Sequence, residues 1–110
     1  MAISSFAPAA SHATAITLSA ARDNTLIESA TGANSNALGS AVFAGRTAQG
    51  ANSVRRAVIA FDIAAAIPAG SIIESVTLSL TRTGGNSSPT TLALHRLLSD
   101  WGEGTSLFDG

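Results

Sequence analysis

The sequence predicts an all-β domain, an antiparallel β-sandwich of jelly-roll-like form. Three observations carry that expectation. Ala57 to Ile63 is almost continuously apolar, as in a strand covered on both faces. Val76, Leu78 and Leu80 alternate with Thr77, Ser79 and Thr81, the pattern of a strand with one wet face. Between such runs stand clusters of Gly, Pro, Asn, Asp and Ser, and no stretch sustains a helical period. Together these imply two packed sheets built from roughly six to eight short strands.

Residues 1–13, rich in Ala and Ser without a period, read as a loose lead-in, and 14–110 as one domain. Ile16, Leu18 and Ala20 alternate with polar residues, and Thr25 to Glu28 follows as a second short run. Asp23-Asn24 is the turn signal between them, so two strands or one bent strand are expected. Ser29 to Gly39 has loop composition, Ala41 to Ala44 reads as a small strand ending at Gly45, and Gln49 to Ser53 as a polar connection. After the apolar strand, Asp62 to Ile67 is too short for a stable helix before Pro68, so one helical turn or a plain loop is expected. Pro68-Ala69-Gly70 is a turn. Thr83 to Pro89 (TGGNSSP) then joins Val76–Arg82 to Thr90–Leu97, which are expected to pair as a hairpin with a long loop.

Composition narrows the function classes. The chain has 110 residues, 45% of them hydrophobic, so a folded domain is expected rather than disorder. Bulky fillers are few, with four Phe, one Trp, one Met and no Tyr, which leaves Ala, Ile, Leu and Val to pack the core. Six Arg against seven acids, and no Lys, provide no electrostatic footprint for nucleic acid or an anionic membrane. No apolar stretch approaches the about 20 residues that span a bilayer as a helix, so membrane insertion is not expected. Without cysteine, disulfides and thiolate metal sites are excluded.

Arg55-Arg56 ahead of the apolar strand, Phe61-Asp62 at its end and Ile67-Pro68-Ala69-Gly70 in the turn form a pattern that resembles the DNRLRE-type domain. The run Ser99-Asp100-Trp101-Gly102-Glu103-Gly104-Thr105 is similar to that family's acidic, glycine-rich ending of a strand after a tryptophan. The resemblance covers about Thr14 to Ser106. It implies a β-sandwich on secreted or cell-surface prokaryotic proteins, linked to carbohydrate binding rather than catalysis. Family members usually continue for further strands, so a sandwich ending at Gly110 is expected to have open sheet edges. Such edges invite completion by further strands or by a partner chain, including a homo-oligomer or fibre.

The candidate residues carry both a structural and a functional reading. No nucleophile motif is present, and Asp100 with Glu103, set among flexible glycines, is a poor carboxylate pair for glycoside hydrolysis. An enzyme is not expected. Asp62 reads first as an acceptor for backbone N–H groups of the following turn. The alternative joins Asp62 to Asp23 and Glu28 around a Ca²⁺, which takes oxygens from scattered loops. Arg55 and Arg56 point to opposite faces of a strand, each suited to a salt bridge or chain carbonyl, or else to a sugar hydroxyl or uronate. His95 is expected on a solvated or groove-facing surface. Trp101 is either a plug over the end of the core or a stacking platform for a sugar ring. The functional expectation is a non-catalytic extracellular module binding polysaccharide or a cell-surface glycan through Arg55, Arg56, His95 and Trp101. The alternative is a structural subunit of a fibre, coat or matrix that self-assembles through its sheet edges.

Overall fold

A computed structural model describes residues 14–86 and 88–108, so the lead-in at 1–13 lies outside the described residues. Its regular structure is almost entirely strand: β1 (Arg22–Ile27), β2 (Asn34–Ser35), β3 (Gly45–Arg46) and β4 (Val54–Ala60), with one helical turn, α1 (Ile63–Ala66). The strands form a single antiparallel sheet in the order β2-β1-β4-β3. Its centre is the β1–β4 pair, which runs in register from Arg22 opposite Ala60 to Ile27 opposite Arg55. Ala21 N–H to the Ala60 carbonyl (2.8 Å) and Glu28 N–H to the Val54 carbonyl (3.0 Å) extend this ladder at both ends. The outer strands are two residues each, so they shield little of the central pair's edges.

Several elements depart from the sequence expectation. Asp23-Asn24 is not a turn but lies in the first half of β1, because the Asn24 side chain is buried and bonded at both ends of its amide. The Ile16–Ala20 alternation forms no strand, and Ala41–Ala44 is irregular, with β3 following at Gly45–Arg46. The strand expected at Ala57–Ile63 starts and ends three residues earlier, at Val54–Ala60, and it is half-buried rather than covered on both faces. Among the described residues there is no second sheet. Val76–Arg82 and Thr90–Leu97 are joined by no backbone hydrogen bond, and both stretches lie exposed.

Other local readings match the structure. Asp62 caps the helical turn, its Oδ1 accepting from Ala65 N–H at 3.2 Å. Pro68 ends that turn. Ser71 N–H then returns to the Pro68 carbonyl at 3.2 Å, with Gly70 at φ 83°, the left-handed third position that a type II turn requires. The connection from β3 to β4 closes through Thr47 N–H to the Ser53 carbonyl at 2.9 Å, with Asn52 at φ 53°. Asparagine is among the few side chains that tolerate this conformation.

Apolar burial is sparse. Among the described residues only Ile27 and Ala37 are fully buried hydrophobics, alongside the polar Asn24, Thr25 and Ser53. Ile72, Val76 and Leu98 are 90%, 83% and 93% exposed. The radius of gyration is 20.7 Å, against about 13 Å for a compact chain of this length. The long dimension is 82 Å. Hydrogen exchange on the monomeric chain should therefore show protection in β1, β4 and the amides bonded to them, with amides of Ile72–Arg82 and Thr90–Leu98 exchanging at unprotected rates. Equal protection in both regions would contradict this arrangement.

Candidate functional site

The most developed site lies on one face of the β1–β4 pair. Alternation places Arg22, Asn24 and Leu26 on this face, and the register sets Ala60, Val58 and Arg56 opposite them. Leu26 and Val58 form an apolar floor. Ser35 of β2 and the stretch Leu97–Ser106 complete a cleft of about 500 Å³. Trp101 stands in its wall.

Each part of that wall is held by specific bonds. Asn24 donates through Nδ2 to the Glu103 carbonyl at 2.9 Å and accepts at Oδ1 from Asn36 N–H at 3.0 Å. Its amide thus ties β1 to two distant segments, and it is only 4% exposed. Glu103 accepts at Oε1 from Asp23 N–H at 3.0 Å, occupying part of the β1 edge that short β2 leaves open. The Ser106 carbonyl accepts from Ala37 N–H (2.8 Å) and Leu38 N–H (3.0 Å), and its hydroxyl bonds that of Ser35 at 2.7 Å. The Phe43 N–H donates to the Thr25 hydroxyl at 3.0 Å on the opposite face, so the segment before β3 is tethered in the same way.

Arg22 organises the Trp101 end. Its guanidinium lies 5.1 Å from the centre of the Trp101 ring, donates to the Trp101 carbonyl and pairs with Asp100 at 3.4 Å. One ring face therefore carries a cation, which fixes the indole's orientation. The Asp100 carboxyl is held below the ordinary aspartate range, first by the hydrogen bond from Trp101 N–H and then by Arg22. Asp100 is solvent-exposed, so the ion pair is screened and secondary to the backbone bonds.

The sequence candidates divide clearly. Trp101 lines the cleft, whereas Arg56 lies on the same sheet face opposite the floor residue Leu26 but outside the lining. Arg55 pairs with Ile27 on the other face, where its guanidinium donates to the carbonyls of Asn52 (2.7 Å) and Val54 (3.1 Å) and to Gln49 Oε1 (3.4 Å). It fastens the β3–β4 connection. His95 lies in the exposed stretch, away from the cleft's lining residues. The three calcium candidates do not converge. Asp23 and Glu28 sit at opposite ends of β1, roughly 16 Å apart along an extended strand. Glu28 accepts from Val54 N–H at 3.0 Å, and Asp62 is spent on its cap. Among the described residues no three potential ligands of the His, Cys, Asp or Glu kind cluster.

Sequence reasoning missed Arg22, Asn24, Asn36 and Ser106. Arg22, Asn24 and Ser106 act through bonds across 69 to 79 positions of chain and Asn36 through one across 12, and no local spacing encodes these. No protein-family model, curated protein or solved structure matches this chain.

Two outcomes follow from this wiring. Asn24→Ala should destabilise the fold by about 2 kcal/mol, because the part-buried Glu103 carbonyl and Asn36 N–H both lose their partner, read as a lower urea midpoint at constant m-value. A depressed carboxylate stabilises fully above its unfolded value of about 3.9, and that contribution is lost as pH falls through the lower folded value. Trp101 fluorescence should accordingly titrate with a midpoint below about 3.9, and Arg22→Gln should raise it without fully restoring it, since the Trp101 N–H bond remains.

Proposed function

We propose that the chain is a non-catalytic extracellular module that binds polysaccharide or a cell-surface glycan at the Trp101 cleft. The observation behind this reading is that Trp101 stands in the wall of a cleft with an apolar floor and hydroxyl-bearing edges, on the sheet face that also carries Arg56 beside the floor residue Leu26. Carbohydrate recognition uses such a mixture: a flat aromatic against the apolar face of a sugar ring, and hydrogen-bonding groups around it. Arg56 is exposed, and a guanidinium there suits a sugar hydroxyl or a uronate carboxylate. The resemblance to the DNRLRE-type domain supports the same reading, with a secreted, prokaryotic setting. In that setting the four-stranded sheet is one layer of a jelly-roll-like sandwich, and the exposed Leu78 belongs to a strand of the second layer.

The carboxylates carry no hydrolytic arrangement in this reading. Glu103 and Asp100 each accept a backbone N–H, Glu103 from Asp23 and Asp100 from Trp101, which serves to build the cleft wall.

A second reading, a structural subunit that self-assembles, is favoured by a separate observation. The stretches Ile72–Arg82 and Thr90–Leu98 carry exposed Ile72, Ile73, Val76, Leu80, Leu92, Leu94 and Leu98, and among the described residues neither stretch has a backbone–backbone hydrogen bond. Strand-like segments in that state are templates for pairing with another chain.

Because Trp101 is the only tryptophan, its fluorescence reports on the cleft directly. Titration with neutral and uronate-containing polysaccharides should shift that emission saturably, and Arg56→Ala should weaken binding of the uronate polymers by about tenfold while the unfolding midpoint stays put. An emission that no polysaccharide perturbs would remove the glycan reading and leave the assembly reading in place.

A further inference from the structure

The exposed stretch contains a nine-residue pattern that is symmetric about its own centre. Glu74, Val76, Leu78, Leu80 and Arg82 alternate with Ser75, Thr77, Ser79 and Thr81. On an extended strand the first set shares one face and the second set the other. Read from either end, the first face runs charge, aliphatic, leucine, aliphatic, opposite charge. Every one of these residues is exposed, and none of their backbone groups is paired with another described residue.

We infer that Glu74–Arg82 pairs antiparallel with the same segment of a second copy of this chain, about a two-fold axis at Leu78. This deepens the assembly reading and rests on it. In that register Glu74 of each copy opposes Arg82 of the other, Val76 opposes Leu80, and Leu78 opposes itself. On the far face Ser75 opposes Thr81 and Thr77 opposes Ser79, pairs whose hydroxyls hydrogen-bond across strands. A two-fold axis requires a self-complementary patch, and a segment with one acid and one base equidistant from its centre is one. Sliding the register by two residues sets Glu74 opposite Leu80 or a glycine, which removes both charge pairs at once. The choice of a second copy over an unrelated strand rests on this complementarity.

The neighbouring run completes the argument. Thr90–Leu98 follows the TGGNSSP loop and sets Leu92, Leu94 and Leu98 on one face, with Arg96 between the last two. A lone two-stranded hairpin is marginal in water, whereas two hairpins joined through Glu74–Arg82 make a four-stranded antiparallel sheet with an apolar face. Pairing between copies thus supplies what neither copy achieves alone.

Charge reversal tests the register on the full chain by sedimentation equilibrium at low salt. Wild type should dimerise, while Glu74→Arg and Arg82→Glu should each associate about tenfold more weakly, since each homodimer then holds two like-charged pairs. The double variant should recover wild-type affinity. An equimolar mixture of the two single variants should do the same as a mixed dimer, because each copy then meets its opposite charge. A Leu78→Cys variant, in a chain with no other cysteine, should oxidise to a covalent dimer far faster than Leu92→Cys. A chain that stays monomeric at every concentration overturns both this inference and the assembly reading. Association that ignores the single reversals, or fails to recover in the double variant and the mixture, overturns the Leu78 register and leaves assembly through another edge.

Discussion

The fold depends on one buried amide. Asn24 sits in the central strand at 4% exposure and spends both ends of its side chain on backbone groups remote in sequence, the Asn36 N–H and the Glu103 carbonyl. An amide buried without partners is strongly unfavourable, so its burial and its two bonds stand or fall together. Those bonds carry the chain's last described segment back to the first strand, and they build the wall in which Trp101 stands. Thr25, buried beside it, performs the same service for Phe43 on the other face. The sheet is narrow, and polar side chains rather than interlocking apolar ones attach the loops to it.

That arrangement explains the molecule's exposed surface. A core containing only Ile27 and Ala37 as fully buried hydrophobics leaves most of the aliphatic side chains elsewhere in the described chain in contact with water. The largest concentration lies between the turn at Gly70 and the return of the chain at Asp100. Its two runs alternate as strands should, yet they meet no sheet within the chain. An apolar stripe flanked by charges of opposite sign, with a hydroxyl ladder behind it, has the composition of a strand that finishes a sheet. The cleft and the stripe at Glu74–Arg82 share no residue.

Much of the local structure was legible in the residues. Pro68, Gly70 and Asp62 stood where a turn and a cap needed them, and the structure places the turn and the cap there. The apolar run after Arg55 was readable as a strand, although its limits shifted because ladder pairing with β1, and not hydropathy, sets where β4 begins and ends. Asp23-Asn24 misled because its turn propensity describes an exposed dipeptide. In this chain the Asn24 amide is withdrawn from its own backbone and committed to partners far away, so the segment extends. The site was half legible: Trp101 and Arg56 stood out by residue type, whereas Arg22 and Ser106 act only through contacts that no spacing announces.

The sequence by itself determined the strand-rich character, the turn at Pro68–Gly70, the capped helical turn and, among the described residues, the lack of a helix long and apolar enough to cross a membrane. Each of these rests on local backbone preference or on composition, which a linear string contains. Only the tertiary structure decided that a single sheet forms in the order β2-β1-β4-β3, that Arg55 and Arg56 divide between structural and open faces, and that Trp101 is held beneath a guanidinium. These outcomes depend on which distant segments satisfy one another's hydrogen bonds, and that choice is made between whole arrangements of the chain rather than residue by residue.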